Sequence, residues 1–425
     1  MTGNITGEVP ELRDLSQSDS GDVGSLASSN IIPRQLRAFS TGTMFSSTGT
    51  FGAGAAGTGL FGTQAAATTP TNPNKDYELP SPPDDTVQTL RFSPATVQQN
   101  FLASGSWDGL VRLWEVNIPS AQQNAQNQVI PPNIQAAPKA QQTAGGPVMD
   151  LSYSDDGSKI FFGSTDKTLK MWDLNSNQVT QIGSHDGVIK SVHFIQGGNY
   201  QCVMTGSWDK TLKFWDARQP NPMMVIALPE RLYAADVLYP MAAVCTAGKQ
   251  CVVYQLDGTP REFKKVDTSL KNMLRCLSIC TDPKTRQPTG FAVGSVEGRV
   301  AIQYLNPPQP KDNFTFKCHR VDQSTNVQEI YPVNGVNFHP VHGTLATLGG
   351  DCKYSYWDKD SRTKLKTSEK CDQALTTGCF SARGEVFAYG VGYDWGQGHE
   401  FSNPAKKPQI FLNYCFEDMK PRKKT

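Results

Sequence analysis

The sequence predicts an all-β protein whose main domain is a seven-bladed β-propeller preceded by a disordered N-terminal arm. The first observation is a phrase of 11 residues that occurs three times, as GSWDGLVRLWE, GSTDKTLKMWD and GSWDKTLKFWD, starting at residues 105, 163 and 206. The second is its period. Trp172 and Trp215 are separated by 43 residues, and a four-stranded propeller blade repeats about every 40 to 45 residues.

Weaker copies bring the predicted number of repeats to seven. A less strict copy ends at Trp357, and more distant ones end near Tyr254 and Gln303. A last unit is predicted around 387–412. Seven blades leave about 50 residues for each, slightly more than the usual repeat, which predicts long loops. The longest predicted surface loop is 117–146, which is rich in Gln, Ala and Pro.

Each repeat has the pattern of a strand that is covered on both faces. In the third copy Leu212 and Phe214 lie on one face, because side chains alternate along a strand. Thr211, Lys213 and Trp215 lie on the other face. Neighbouring blades cover both faces of a propeller blade, so apolar side chains are expected on each of them.

The N-terminal arm is predicted over 1–74. Gly, Ser, Thr and Ala dominate it, so it cannot bury enough apolar surface to offset the entropy of the chain. Its aromatic residues are all Phe, and two of them stand before Gly, at Phe51-Gly52 and at Phe61-Gly62, which ends a Gly-Leu-Phe-Gly tetrapeptide. These FG and GLFG motifs resemble the repeats of nucleoporins, which implies weak docking to transport receptors. Two such dipeptides can also arise from composition alone.

The character of the chain changes near Lys75. Two prolines there lead to Val87, Leu90 and Phe92, an apolar alternation that is typical of a strand. The propeller domain is therefore predicted over 75–425.

Charge and hydropathy indicate no general attraction to one class of partner. The chain has 40 Lys plus Arg and 39 Asp plus Glu, a formal net charge of +1, so any electrostatic site must be local. Residues 1–10 lack the basic and apolar regions of a signal peptide, and no window of about 18 residues is apolar and uncharged. An intracellular, soluble protein without membrane insertion is expected.

No metal site, cofactor site or catalytic centre is predicted. The 10 cysteines occur without the CxxC pairs of structural zinc, so they are expected to be reduced and buried. Phosphate-binding and dinucleotide fingerprints are absent. His319, His339, His342 and His399 fall in loop-like segments without matching partners. An enzyme, for example a propeller hydrolase, is therefore the less favoured alternative.

The repeats resemble those of WD-repeat proteins, whose complete copies hold a buried tetrad of hydrogen-bonded side chains. In the third copy the resemblance implies a tetrad of His185, Thr205, Asp209 and Trp215. The copies ending at Trp114 and Trp357 keep only three members, and in the copy ending at Trp172 the hydroxyl residue is replaced by Phe162. Although hydroxyl, imidazole and carboxylate also form catalytic triads, a hydroxyl bonded to an indole and sealed between blades predicts a structural role.

Longer segments outside the repeats resemble one family of WD-repeat proteins, the mRNA export factors of the nuclear pore. The resemblance covers nearly all of 75–425, whereas the first 40 or so residues match nothing in that family. It is carried by the segments 154–159, 203–216, 221–225, 228–231, 288–291, 297–302, 311–320, 338–347, 357–369 and 398–400.

The resemblance implies a noncatalytic adaptor in the nuclear export of mRNA. Such an adaptor docks on the GLEBS segment of a GLFG nucleoporin and contacts RNA or messenger ribonucleoprotein. The implied location is the nucleus and the nuclear pore complexes of the nuclear envelope, with shuttling to the cytoplasm. A role at the mitotic spindle is a further implication. The alternative is a mitotic-checkpoint adaptor that binds GLEBS-like segments of kinases, and the FG-bearing arm argues against it.

The same resemblance implies a partner-binding or RNA-binding groove on one propeller face. Its members here are Phe316, Trp357, Asp358, Lys359, Arg362 and Lys364. Arg362, Lys364 and Lys366 alternate along the chain, so they project to one side of a strand. This surface suits an acidic peptide or a single-stranded nucleic acid, where stacking of one base contributes about 1 to 3 kcal/mol. Trp357 is also the anchor of its repeat, and the lysines can form a solvated face.

Overall fold

The structure, a computed structural model, describes residues 72–124, 129–198, 200–282, 284–307, 309–324 and 326–422. The residues of the FG motifs, Phe51, Gly52, Phe61 and Gly62, lie outside this part of the chain. Within it the chain forms seven four-stranded antiparallel sheets, two two-stranded hairpins and two short 3₁₀ helices. The prediction of an all-β, seven-bladed propeller is confirmed.

The strands of the first four blades follow one another along the chain. The first blade contains β2 (Val87–Phe92), β3 (Asn100–Ser106), β4 (Leu110–Asn117) and β7 (Gln135–Thr143). Strand β1 (Tyr77–Glu78) precedes it, and a hairpin of β5 (Gln122–Gln123) and β6 (Val129–Ile130) precedes β7. The second blade contains β8 (Val148–Tyr153), β9 (Lys159–Ser164), β10 (Thr168–Asp173) and β11 (Gln178–Ser184). The third contains β12 (Ile189–Gly197), β13 (Tyr200–Ser207), β14 (Thr211–Trp215) and β15 (Met224–Ala227). The fourth contains β16 (Leu232–Leu238), β17 (Met241–Thr246), β18 (Gln250–Gln255) and β19 (Arg261–Asp267).

The last three blades are accompanied by the two 3₁₀ helices and the second hairpin. The fifth blade has β20 (Leu274–Thr281), β21 (Pro288–Ser295), β22 (Arg299–Tyr304) and β23 (Phe314–Lys317), with a 3₁₀ helix at Pro310–Asp312. A hairpin of β24 (Arg320–Ser324) and β25 (Val327–Ile330) leads to the sixth blade. That blade has β26 (Val333–Phe338), β27 (Leu345–Gly349), β28 (Tyr354–Asp358) and β29 (Thr363–Thr367). The seventh has β30 (Leu375–Phe380), β31 (Val386–Val391) and β32 (Gln409–Tyr414), with a 3₁₀ helix at His399–Phe401.

The ring closes because the first described strand, β1, completes the last blade. Strand β1 pairs antiparallel with β32, with Tyr77 opposite Leu412 and Glu78 opposite Phe411. The inner strands β2, β8, β12, β16, β20, β26 and β30 contact one another in a closed circle. We call the face at which these inner strands begin the upper face. It carries the connections between blades and the turns between second and third strands, and the opposite face is the lower face.

The packing of the third blade follows the alternation in its sequence. Leu212 and Phe214 of β14 pack with Leu232 of the fourth blade. Trp215, on the opposite face of β14, packs with Phe161 of the second blade. Both faces of the sheet therefore contribute to the core, which is why apolar residues alternate onto both of them.

The segment 117–146 is not a single loop, so this prediction was wrong. Strand β7 pairs with β4 from Leu110 opposite Thr143 to Asn117 opposite Gln135. Its Gln-rich and Ala-rich composition concealed the strand, because the outer strand of a blade is largely exposed and needs few apolar side chains. Among the described residues between β4 and β7, those of β5 and β6 form a separate two-stranded hairpin outside the blade.

One pair of cysteines also differs from the expectation of reduced thiols. Cys245 on β17 and Cys251 on β18 are directly opposite each other and form a disulfide. Their Cα atoms are 4.2 Å apart, because opposite residues of neighbouring antiparallel strands approach closely. The spacing in the sequence did not reveal this register, which depends on the tight turn between the two strands.

A buried histidine on the lower face is held in its neutral form. His339 follows β26 and is 2% exposed. Its Nε2–H donates to the carbonyl of Gly384 at 2.8 Å, and its Nδ1 accepts the N–H groups of Val341 and His342. Burial lowers the pKa of His339 to about 4. Protonation of Nδ1 would replace two accepted hydrogen bonds with a buried charge.

We expect the propeller to lose stability in mild acid because of His339. Its pKa in the unfolded chain is about 6.5, so the unfolded state takes up a proton that the folded state rejects. The stability that neutral His339 contributes is therefore complete above a pH of about 6.5. It is lost as the pH falls from there towards the folded pKa of about 4. Urea unfolding at a series of pH values measures this. His339→Asn should show a weaker dependence, and an unchanged dependence would contradict the assignment.

Candidate functional site

The predicted tetrad of the third blade is assembled from the connection before β12 and from strands β13 and β14. His185 Nδ1–H donates to Asp209 Oδ2 at 2.8 Å, and the Thr205 hydroxyl donates to His185 Nε2 at 2.7 Å. The indole N–H of Trp215 donates to Thr205 Oγ1 at 2.7 Å. Burial lowers the pKa of His185 despite the opposing attraction of Asp209. The imidazole is therefore neutral, with the tautomer that these bonds require.

A second complete tetrad lies in the sixth blade. His319 Nδ1–H donates to Asp351 Oδ1 at 2.8 Å, and the Thr347 hydroxyl donates to His319 Nε2 at 2.9 Å. The indole N–H of Trp357 donates to Thr347 Oγ1 at 2.9 Å. The expectations that a single copy is complete and that His319 has no matching partner were therefore wrong.

The hairpin of β24 and β25 concealed this histidine in the sequence. In the third blade His185 precedes Thr205 by 20 residues, whereas His319 precedes Thr347 by 28 residues. The hairpin accounts for the additional length, so the tetrad histidine is displaced from the spacing of the repeat. Both histidines lie directly after the fourth strand of the preceding blade. That position, rather than the distance to the threonine, is the sequence signal that indicates His319.

The first two blades satisfy their anchor tryptophans without a tetrad. The indole N–H of Trp114 donates to the carbonyl of Pro80 at 2.8 Å. That of Trp172 donates to Asn177 Oδ1 at 3.0 Å. Within the described part of the chain the buried hydroxyl of Ser104 has no partner. A serine or threonine at this position therefore does not form the tetrad without the histidine.

The geometry of the two tetrads argues against catalysis. Thr205 and Thr347 are 0% exposed, and each hydroxyl accepts an indole N–H while its proton is donated to an imidazole. An attacking hydroxyl needs a lone pair that can reach a substrate.

Among the described residues no group of three or more His, Cys, Asp or Glu could hold a metal ion. No helix there is long and apolar enough to cross a membrane.

Three of the predicted groove residues, two aromatic and one basic, lie together between the fifth and sixth blades. Phe316 and Trp357 pack together with their ring centres 4.7 Å apart. Lys364 lies opposite Trp357 in the pairing of β28 with β29, and its Nζ is 5.6 Å from the centre of the Trp357 ring. Since the Trp357 N–H is committed to the tetrad, this residue offers only its ring.

A cavity of about 540 Å³ lies on the lower face beside these residues. Of the six predicted residues, Asp358, Lys359 and Arg362 line it, while Phe316, Trp357 and Lys364 do not. The cavity is lined by Tyr304, Asp312, Phe314, Asp358, Lys359, Asp360, Ser361, Arg362, Pro421 and Arg422. The predicted groove residues therefore did not include the two aromatic residues of the fifth blade or the two residues of the C-terminal tail that line the cavity.

Two cations of the cavity lie against aromatic rings. The Arg362 guanidinium carbon is 4.3 Å from the centre of the Phe314 ring. Lys359 Nζ is 5.9 Å from the centre of the Tyr304 ring and forms an ion pair with Asp360 at 2.6 Å. Although burial lowers the pKa of Lys359, the bond to Asp360 and its charge outweigh burial and raise the pKa. Lys359 therefore stays charged, and its charge is compensated within the protein.

The carboxylates of the cavity bind the protein itself. Asp358 is 4% exposed, and its Oδ1 accepts the N–H groups of Asp360 and Ser361 at 2.9 and 3.2 Å. Asp312 Oδ2 accepts a backbone N–H at 2.9 Å where its 3₁₀ helix begins. These side chains stabilise the two turns that build the cavity. The guanidinium of Arg362 is exposed and, among the lining residues of these turns, is the cation without a carboxylate partner in the described part of the chain.

The upper face carries most of the exposed large apolar side chains. Of the 14 such side chains in the described residues, eight lie there, including all three exposed tryptophans. They come from inter-blade connections and from turns between second and third strands. The eight are Trp107, Trp208, Met273, Val321, Val327, Ile330, Trp395 and Phe401.

A second cavity, of about 520 Å³, opens on the upper face at the sixth and seventh blades. Ile330, Tyr331, Tyr393 and Phe401 are among its lining residues. Trp395 lies next to it in a left-handed backbone conformation, with φ of 60°, which is rare for a bulky residue and is often retained at binding sites. The ring centres of Tyr393 and Trp395 are 5.4 Å apart. The long turn between β31 and β32 thus presents aromatic side chains to solvent.

The fold and its tetrads define a WD-repeat β-propeller. The family model described as WD domain, G-beta repeat matches 77–115, 139–173 and 176–216. Among solved structures, the WD40 β-propeller domain of Doa1 superposes with a TM-score of 0.55 at 17% sequence identity, over 79% of this chain and 95% of that one. At that identity the likeness concerns the fold alone.

Relatives of high identity specify the family. Protein Rae1 of Drosophila melanogaster is 56% identical over 84% of this chain and 99% of its own length. The mRNA export factor of Xenopus tropicalis is 55% identical over 90% of this chain and 99% of its own length. The mRNA export factor of Mus musculus is 55% identical over 90% of this chain and 99% of its own length. The chain belongs to the family of WD-repeat mRNA export factors.

Proposed function

We propose that this protein is a noncatalytic adaptor in the nuclear export of mRNA. The observation that carries the proposal is the similarity to mRNA export factors, which covers 90% of this chain and 99% of the Xenopus tropicalis relative. The propeller, 75–425, holds the binding surfaces, and the arm, 1–74, offers its FG motifs to transport receptors. The protein acts at nuclear pore complexes and shuttles between nucleus and cytoplasm.

The upper face docks the GLEBS segment of a GLFG nucleoporin in this proposal. Soluble proteins seldom expose large contiguous apolar surfaces except where a partner binds, and tryptophan is enriched among the residues that dominate binding energy. Trp107, Trp208 and Trp395 are between 38 and 45% exposed. They belong to the first, third and seventh blades, so a partner that contacts all three must be extended. A long peptide fits this requirement.

The docking proposal is tested with an immobilised GLEBS peptide and the full chain. Binding is the expected result, and its absence would contradict the proposal. A GLEBS-like segment of a mitotic-checkpoint kinase serves as the second peptide, because the same face would accept it in a spindle role. Preference for the nucleoporin peptide favours the export function, and preference for the kinase peptide favours the checkpoint function.

The groove on the lower face contacts single-stranded RNA in this proposal. Arg362 and Lys364 supply exposed cations for phosphates, and the rings of Tyr304 and Phe314 line the neighbouring cavity. Aromatic faces stack on bases without regard to sequence, and cations beside them follow the backbone. The groove and the upper face are separate, so one propeller can hold a nucleoporin and RNA together.

Charge reversal in the groove should separate the two activities. We expect Arg362→Glu with Lys364→Glu to weaken binding of single-stranded RNA at least about tenfold and to reduce its salt dependence, since phosphate contacts release counterions. Binding of the GLEBS peptide should not change. Fluorescence anisotropy at several salt concentrations measures RNA binding. Lys139→Glu with Arg218→Glu, at cations of the first and third blades that are 46 and 84% exposed, is the matched control. Equal effects of both pairs would indicate nonspecific attraction.

A further inference from the structure

The C-terminal tail that follows β32 is attached firmly to the sixth blade. Met419 is 0% exposed, and its carbonyl accepts the hydroxyl of Thr344 at 2.8 Å. One residue earlier, Asp418 forms an ion pair with Lys366 of β29 at 2.6 Å. The path of the chain is therefore determined up to Met419 by a buried apolar side chain, a buried hydrogen bond and an ion pair.

This attachment brings the next residues to the lower-face cavity. Pro421 and Arg422 line the cavity of about 540 Å³ that Phe314 and Arg362 also line. Arg422 is exposed. In the part of the chain that the structure describes, it forms no hydrogen bond or ion pair that would occupy its guanidinium. The tail thus contributes an exposed cation to the lining of the cavity.

The carboxylates of the cavity already bind other groups of the protein, so the Arg422 cation can bind a ligand. Asp358 accepts backbone N–H groups, and Asp360 pairs with Lys359. Arg362 also donates to the carbonyl of Lys311 at 2.8 Å. Arg362 and Arg422 remain as the cations of the cavity without a carboxylate partner among the described residues, so they can bind an anion. Arg362 comes from the turn between β28 and β29, with the ring of Phe314 against it, and Arg422 comes from the tail.

We propose that the C-terminal tail is part of the RNA interface, with Arg422 binding a backbone phosphate of a single strand that lies in the groove. The inference rests on the proposed RNA contact of the groove and extends it to a segment outside the repeats. A guanidinium matches phosphate geometry with paired N–H donors. The next two residues in the sequence, Lys423 and Lys424, carry the same charge.

Single-stranded RNA fits the groove better than an acidic peptide does. A single strand alternates flat bases with phosphates, and the cavity combines aromatic rings with the exposed guanidinium groups of Arg362 and Arg422. An acidic peptide would use the cations alone, whereas the bases of a single strand can also contact the rings of Tyr304 and Phe314 that line the cavity beside Lys359 and Arg362. The peptide is therefore the competing ligand in the test.

The test measures the slope of log affinity against log salt for single-stranded RNA with the full chain. Each phosphate contact that is lost should make this slope shallower by about 0.7. We expect that change for Arg422→Ala, and a larger one when residues 421–425 are deleted. Arg218→Ala, at an arginine that is 84% exposed on the third blade, should leave the slope unchanged. Thermal unfolding should be the same for Arg422→Ala and the unaltered protein, because the side chain is exposed.

The outcomes distinguish this inference from the function on which it rests. If the unaltered protein binds RNA, Arg362→Glu weakens it and Arg422→Ala leaves the slope unchanged, the tail is not part of the interface. If the unaltered protein does not bind RNA at all, the RNA contact itself is wrong. A glutamate-rich peptide that binds more tightly than RNA, with a loss on Arg422→Ala, would replace RNA with an acidic partner and overturn the inference.

Discussion

Replacing Trp215 with alanine is expected to lower the free energy of unfolding by about 3 to 5 kcal/mol, the cost of removing a large buried side chain. Trp215 is 2% exposed and packs so tightly on the preceding blade that a Cβ at Gly183 would lie 2.2 Å from its ring. The substitution also removes the indole N–H that donates to Thr205. Urea unfolding followed by circular dichroism measures the loss.

Two further variants separate packing from hydrogen bonding in this tetrad. Trp215→Phe keeps an aromatic ring and removes the N–H, so it should cost about 1 to 3 kcal/mol, the range for leaving a buried polar group unsatisfied. Trp208→Ala is the matched control, because this tryptophan lies in the same blade and is 40% exposed. It should change stability by no more than about 0.5 kcal/mol. If Trp208→Ala and Trp215→Ala were equally destabilising, the tetrad would have no special structural role.

The second large effect is expected on the upper face. Trp395→Glu with Phe401→Glu should weaken binding of the GLEBS peptide at least about 30-fold, because a central aromatic residue of an interface commonly contributes 2 kcal/mol or more. The two side chains are 45 and 63% exposed, so folding should not suffer. Binding of RNA should be retained, since the groove lies on the lower face. Isothermal titration calorimetry measures the affinity for the peptide.

A control on the side of the propeller makes this result specific. Phe263 belongs to the outer strand of the fourth blade and is 49% exposed. Phe263→Glu adds the same charge at an apolar residue of similar exposure, and it should leave peptide binding unchanged. Peptide binding that survives Trp395→Glu with Phe401→Glu would place the docking surface elsewhere on the propeller.

Only part of the groove was predictable from the sequence, because some of its residues are far apart along the chain. Four of the predicted residues lie at the end of β28 and in the turn that follows it, so a single segment of sequence shows them together. They are Trp357, Asp358, Lys359 and Arg362. The tail residue Arg422 reaches the same cavity through contacts made by the folded chain. No local pattern indicates such a meeting, because it depends on where β32 ends and what holds the tail.

The upper face was not predictable residue by residue. Trp107 and Trp208 occupy the turn of the repeat itself, directly before its aspartate. In the sequence they resemble the buried anchors Trp114 and Trp215, since all four are tryptophans in nearly identical phrases. Only the sheets show that the first two lie at a turn in solvent, whereas the last two lie within a strand between blades.

By itself the sequence determined the architecture of this protein, because a period of 43 residues and alternating apolar side chains recur along the chain and each blade needs neighbours to cover both faces. The tertiary structure alone decided which side chains meet. His319 completes the tetrad of Trp357 across an inserted hairpin, and Arg422 joins Arg362 at the lower face. The physical reason is that repeats depend on local periodicity, whereas binding surfaces are assembled from turns, insertions and tails that closure of the ring brings together.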